Sequence, residues 1–244
     1  MYPEERQQAI AATVMTQGRA SVADLAQHYD VTTETVRRDL AVLDRAGLLR
    51  RGHGGAVPVR ALHLVEPSVE EREATRAGHK LAIASAAAEF LPQSGATVLF
   101  DAGTTTARVA ALVPPDRELL VVTNSVPIAA RLAGLTSISL QLLGGRVRGL
   151  TQSTIGEQAV KALNSLRVDI AFIGSNGITV RHGLSTPDPG EAAVKRAMVE
   201  CANFVVVVAD SSKIGREEFV SFAPIDRVDV LVTDSVYGAC GATA

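Results

Sequence analysis

TTETVRRDL, residues 32–40, sets two arginines side by side near the start of a helical pattern, with an aspartate directly after them. Thr32 carries the side-chain oxygen an N-cap wants, and helical spacing then runs to Gly47, a suitable C′ residue. On a wheel at about 100° per residue, Val36, Leu40 and Leu43 fall within roughly 60° of one another. That stripe predicts the buried face. Arg38 and Arg45 lie nearly opposite it, and Thr35 and Arg37 flank it. Asp39 falls at the rim of the stripe, turned from Arg38, where it is expected to bond inside the domain. An acid facing phosphate would be repelled.

Upstream, Ile10 and Val14 share helical spacing within residues 4–17. SVADLAQHY, residues 21–29, predicts a second helix, with Ser21 as N-cap and Val22, Leu25 and Ala26 on one face. Asp30 and Val31 break the pattern before Thr32. Downstream, LLRRGHGGAVPV, residues 48–59, predicts two short strands joined by a glycine-rich turn. Helix, helix, turn, helix and ribbon make a winged helix-turn-helix. In such a motif the first turns of the third helix read bases, which points to Thr33, Thr35, Arg37 and Arg38. Arg50, Arg51 and His53 on the wing are placed for phosphate or the minor groove. Residues 32–60 hold six arginines against Glu34, Asp39 and Asp44. This local excess matters because the whole chain of 244 residues has a net charge of −2.

SVADLAQHYDVTTETVRRDLAVLDRAGLLRRGHGGA resembles the N-terminal domain of DeoR-type bacterial regulators, with their paired-arginine helix and their R-x-H-G-G-A wing. The resemblance covers residues 4–57 and implies binding of double-stranded operator DNA, usually as a repressor.

The rest of the chain changes character. Residues 59–78 predict a linker that runs into the start of a helix, and residues 79–91 an Ala-rich helix packed through Leu81, Ala84, Ala88 and Leu91. Six short apolar runs then end in small or polar residues: ATVLFDAG, ELLVVTNS, ISLQLLGG, VDIAFIGSNG, NFVVVVAD and VDVLVTD. Helical segments at 105–113, 126–133, 154–166 and 190–202 separate several of them. Strands alternating with helices predict a mostly parallel α/β sheet, whose ligands sit at the carboxyl ends of the strands. The expected organisation is therefore a DNA-binding domain at 3–58, a linker at 59–78, an effector domain at 79–235 and a tail at 236–244.

FDAGTTTARVA, residues 100–110, predicts the sharpest site. A strand ends at Asp101, Ala102 and Gly103 permit a tight turn, and Thr104, Thr105 and Thr106 open a helix. Free N–H groups and hydroxyls there favour an anion. Thr123 and Asn124 end the next strand and are expected in the same crevice. Lys213, three residues past the strand-end Asp210, is placed to reach a ligand's phosphate or hydroxyls. Arg146 and Arg148 are either phosphate contacts or solvated, and Lys195 reads as structural or solvated within its helix. His182 has no partner histidine or cysteine nearby, and the two cysteines have no zinc spacing. No metal and no cofactor are expected.

This half also resembles the DeoR C-terminal domain, with D-x-G-T-T, a T-N strand end, L-x-G-G, G-L-[ST]-T and D-x-S-K in that order. The resemblance implies a sugar-phosphate sensor akin in fold to ribose-5-phosphate isomerase, in which the effector releases the repressor. VTTETVRRDLAVLDRAGL and GGAVPVRALHLVEP are most similar to regulators of sugar-uptake operons, fructose ones in particular, although no residue among them reads a sugar. Two other functions stay open at this point. One is a sugar-phosphate isomerase with an appended DNA-binding domain, for which Asp101, Glu191, Asp210 and Lys213 supply acids and a base. The other is a winged helix used for protein contacts. A single winged helix covers little DNA, so a homo-oligomer, dimer or tetramer, is expected. The N-terminus is polar and acidic, and FVVVVA is far too short for a membrane span, so a cytoplasmic setting without membrane contact is expected.

Overall fold

The computed structural model describes residues 3–17, 20–45, 48–52, 54–58 and 66–234. Contacts divide the chain into two compact units, Met1–Leu64 and Val65–Ala244.

The first unit holds α1 (Pro3–Gln17), α2 (Val22–Tyr29) and α3 (Thr33–Arg45), with β1 (Ala20–Ser21), β2 (Leu49–Gly52) and β3 (Gly55–Pro58). The Ser21 hydroxyl accepts the Asp24 N–H at 3.0 Å and starts α2. Asp30 takes a left-handed conformation (φ 50°) and stops it. The Thr32 hydroxyl accepts the Thr35 N–H at 3.2 Å and starts α3. Ile10, Val14, Leu25, Val36, Leu40 and Leu43 are buried together, as the helical spacing predicts, and Leu49 of β2 joins them. The wing has one strand more than expected: β1 pairs antiparallel with β3, and β3 with β2. A two-residue strand is too short to show any alternation. Gly47 and His53 lie outside the described residues.

The second unit opens with α4 (Val69–Ala74) and α5 (Ala77–Ala87), so ordered structure already occupies part of the segment that reads as linker. Ala84 and Leu91 are buried in its core as expected, but Leu81 is 53% exposed; Lys80, Ile83 and Ala87 are buried instead. The chain continues through β4 (Thr97–Phe100), α6 (Thr104–Ala110), β5 (Leu119–Thr123), α7 (Val126–Leu132) and β6 (Ile138–Leu142). A small hairpin, β7 (Arg146–Arg148) with β8 (Ser153–Ile155), precedes α8 (Glu157–Asn164) and β9 (Val168–Ile173). Then come β10 (Gly177–Thr179), β11 (Gly183–Thr186), α9 (Pro189–Cys201), β12 (Ala202–Val208), β13 (Val220–Ala223) and β14 (Val230–Val232).

The six expected apolar runs become one parallel sheet, ordered β14-β12-β9-β4-β5-β6. Alternation along each strand feeds two cores. Val98, Phe100, Ile170, Phe172, Val206 and Val208 pack with α5, α6 and α7. Leu99, Ala171, Ile173, Val205 and Val207 pack with α8 and α9. Burial on both faces explains why these strands read as continuous apolar runs. The strand order reverses between β4 and β9, and a crevice opens at such a switch point, beyond the carboxyl ends of the strands.

Candidate functional site

On α3 the side chains sort as the wheel predicts. Arg38 is 81% exposed and Arg37 is 57% exposed by side chain; each lies within 4 Å of Glu34, at 3.6 and 3.7 Å. Pairs this exposed hold little energy and release readily to another acceptor. Thr33 is exposed, whereas Thr35 is half-buried, with its hydroxyl 2.9 Å from that of Thr32. Thr35 is therefore partly committed to the helix start. Asp39 faces inward: it accepts Arg6 Nε at 2.6 Å and Gln7 Nε2 at 2.9 Å. The acid after the arginine pair thus ties α3 to α1, which answers why it sits beside two exposed arginines. On the wing, Arg50 pairs in register with Val57 and Arg51 with Ala56.

The crevice of the second unit has a volume of about 260 Å³ and sits where β4, β9 and β12 end. Of the expected ligand residues, Asp101, Gly103, Thr104, Thr105, Thr106, Asn124 and Lys213 all line it. Thr123 does not. It is fully buried, donates to Phe100 O at 2.7 Å and accepts the Ser125 N–H at 3.0 Å, so it braces the end of β5. Asn124 lines the crevice with its amide partly engaged: Oδ1 accepts the Ala102 N–H at 2.9 Å and Nδ2 donates to Thr154 O at 3.3 Å. It holds the Asp101–Gly103 loop to the neighbouring strand. Gly103 is extended (φ 164°), so the bend at Ala102–Gly103 does not use a left-handed conformation. A Cβ there would meet Thr106 Oγ1 at 3.1 Å. Thr106 donates to Gly103 O at 2.9 Å, while the Thr104 and Thr105 hydroxyls have no hydrogen-bond partner among the described residues.

Of the two sequence readings of Lys195, structural and solvated, the structure shows the first: its ammonium pairs with Asp101, donates to Gly174 O at 3.0 Å and lies 5.6 Å from the centre of the Phe222 ring. Asp101 also accepts the Gly174 N–H at 3.0 Å. Burial raises the Asp101 carboxyl above its ordinary range, and the Lys195 ammonium and that N–H oppose the rise. The pair locks β4 to β9 at the floor of the crevice. Glu191, buried beside it, accepts from Thr151 and from Ser153 Oγ at 3.3 Å. Arg148 is drawn away from any phosphate by Glu66 (2.7 Å), Asp188 (3.3 Å) and Glu191 (3.4 Å), and Arg146 is exposed.

Sequence reading missed one wall altogether. Pro67, Arg72, Thr75, Arg76 and Lys80, from the segment read as linker and helix start, line the crevice, as does Arg216. The only local signal was three basic residues among Glu66–Lys80, which also suits a solvated linker. The Lys213 side chain makes no hydrogen bond or ion pair among the described residues. Burial lowers its ammonium below the ordinary lysine value despite the nearby Asp210 carboxylate.

Residues 6–60 match the DeoR-like helix-turn-helix domain, and residues 75–235 match the DeoR C terminal sensor domain. The chain belongs to the DeoR family. It is 40% identical to the HTH-type transcriptional regulator GlpR of Haloferax volcanii, over 98% of this chain and 92% of that one. It is 34% identical to the uncharacterized HTH-type transcriptional regulator FruR of Bacillus subtilis and 33% identical to the glycerol-3-phosphate regulon repressor of Escherichia coli K12. Each of these matches covers 96% of this chain and 92% of the relative. This DeoR-family chain is therefore a DNA-binding transcriptional regulator and not an enzyme, which sets the isomerase alternative aside. Among solved structures, ribose 5-phosphate isomerase A of Methanocaldococcus jannaschii aligns at 20% identity with a TM-score of 0.40, over 55% of this chain and about half (53%) of its own. That likeness is too distant to carry an argument. Among the described residues no helix is long and apolar enough to cross a membrane.

Proposed function

We propose that this DeoR-family regulator represses a sugar-utilisation operon, binds its operator as a homo-oligomer, and is released by a phosphorylated sugar held in the crevice of the second unit. Lys213 carries the reading. A partly buried ammonium without a carboxylate partner is costly in an empty site and favourable once a dianion arrives. It shares the crevice with two hydroxyls, of Thr104 and Thr105, that also lack partners. A phosphate supplies acceptors for all three groups. The base-facing set is Thr33, Arg37 and Arg38, with Thr35 in a supporting place and Arg50, Arg51 and His53 on the wing as phosphate contacts.

The relatives' names point to more than one sugar system, so fructose is the first effector to test rather than a settled one. Fructose 1-phosphate and glycerol 3-phosphate go into the same thermal-shift series, with the parent sugars as controls. At 100 times its dissociation constant the true effector stabilises the second unit by about 2.7 kcal/mol. A series of sugar phosphates in which none moves the transition more than its dephosphorylated parent would refute the effector reading.

A further inference from the structure

The parallel sheet of the second unit ends on β6, which bonds to β5 on one side only. Along a strand, the backbone groups of alternate residues point to opposite sides. The Leu119 N–H donates to Ser137 O at 3.3 Å and the Leu143 N–H to Thr123 O at 2.8 Å, so residues 137, 139, 141 and 143 turn their backbone towards β5. Ile138, Leu140 and Leu142 therefore turn theirs outwards. The Ile138 N–H is taken by Leu135 O at 3.1 Å. The Ile138 carbonyl, and both backbone groups of Leu140 and Leu142, have no hydrogen-bond partner among the described residues.

An open edge recruits other strands, and proteins normally blunt it with a charge, a proline or a bulge. TSISLQLLGG, residues 136–145, has no charged residue and no proline, and β6 follows β5 without a shift of register. Leu142 is 45% exposed on this edge. The charges sit at its two ends. Asp116 and Glu118 are exposed beside the start of β6, where the Ser137 hydroxyl donates to Pro115 O at 2.6 Å. Arg146 is exposed just past the end of the strand. None of the three forms an ion pair among the described residues. Antiparallel pairing of two such edges brings the Arg146 end of each to the acidic end of the other, whereas parallel pairing sets like charges together.

We propose that β6 is the strand through which two copies of this chain associate, edge to edge and antiparallel about a two-fold axis, so that their sheets run on as one. The proposal rests on the homo-oligomer reading above and names its surface. A two-fold at Leu140 satisfies the open groups. Leu140 exchanges N–H and C=O bonds with its counterpart, and the Leu142 N–H reaches the Ile138 carbonyl of the second copy, the group that Leu135 leaves free. Opposed residues of an antiparallel pair share a face, so the exposed Leu142 packs beside Leu140 and Ile138 across the axis. A strand from an unrelated protein would meet the same backbone groups. A second copy also matches both charged ends at once.

The test uses the full chain. Sedimentation velocity over a range of concentrations gives the mass and dissociation constant for wild type, Leu142→Lys, Arg146→Glu and the double variant Arg146→Glu with Glu118→Arg. Residue-resolved amide exchange follows Leu140 and Leu142 in wild type. All the substituted side chains are exposed, so the fold should hold, and the exchange measurement needs no variant. The two amides should be protected in the assembly and lose protection on dilution. Leu142→Lys and Arg146→Glu should each raise the dissociation constant by roughly tenfold or more, because the two-fold applies every change twice. The double variant should associate more tightly than Arg146→Glu alone. If wild type is oligomeric but the variants associate as it does, or the two amides exchange freely in the assembly, β6 is not the interface and the homo-oligomer reading stands. Amides that stay protected in the fully dissociated chain mean that one copy covers its own edge, which also overturns the proposal. If wild type is monomeric at every concentration, both readings fall.

Discussion

Asp39 and Arg38 are neighbours with opposite commitments. The Asp39 carboxylate is buried against Arg6 and Gln7, whereas the Arg38 guanidinium reaches into solvent. Asp39→Ala leaves Arg6 buried without its partner and should cost the first unit about 3 kcal/mol. Arg38→Ala should leave folding unchanged and remove about 1–3 kcal/mol of specific DNA binding. Thermal unfolding followed by circular dichroism, alongside operator titration, separates the two; a destabilised Arg38→Ala protein, or normal operator binding by it, contradicts this assignment. At Lys213 the same method predicts a trade. Its folded-state pKa is lowered by burial, so the charged form costs stability below that value, and the cost fades as pH rises towards the unfolded value of 10.5. Lys213→Met should therefore be more stable than wild type at neutral pH, by a margin that shrinks in alkali, and should no longer respond to phosphate. A variant less stable at pH 7 would mean that Lys213 is held by partners in the native state.

Among the elements, legibility followed burial pattern. The six sheet strands and the helices after them were readable because two-sided burial writes unbroken apolar runs, as in the Val205–Val208 stretch. The short strands were not. β11 buries Ser185 and Thr186 completely, so its interior is polar and carries no apolar alternation. α4 buries nothing and leaves no amphipathic signal. The partner of Lys195 was not legible because Asp101 is 94 positions away and helical spacing reports only near neighbours. The wing offers an element-scale test. A Cβ on Gly55 would lie 2.3 Å from Ala20 O, across the β1–β3 pair. Gly55→Ala must push that strand aside, at about 1–3 kcal/mol. It should weaken operator binding while leaving sugar-phosphate binding in the second unit as in wild type. Unchanged DNA affinity in Gly55→Ala would mean that the wing contributes nothing to the complex.

For the whole molecule, induction requires that effector and operator favour different states of one chain. By linkage, a tenfold to hundredfold loss of operator affinity needs a coupling of roughly 1.4–2.7 kcal/mol between the two sites. The Lys213 ammonium and the Thr104 and Thr105 hydroxyls, without side-chain partners among the described residues, can supply that much, since charge-assisted hydrogen bonds are worth about 1.5–3 kcal/mol each. Gly103→Asp isolates the effect. Gly103 is extended, so the backbone accepts a side chain, and among the described residues the new Cβ meets only the hydroxyl of Thr106. The added carboxylate repels a phosphate at Thr104 and Thr105 without touching the first unit's core. Operator titrations with and without fructose 1-phosphate or glycerol 3-phosphate should therefore show wild type losing affinity on adding the effector. Gly103→Asp should bind the operator equally well in either condition, a repressor deaf to its signal. If it releases the operator as wild type does, the phosphate lies away from the threonine loop and the site must be redrawn around other groups. If its affinity already falls without effector, the loop itself sets the DNA-competent state, and the coupling begins there.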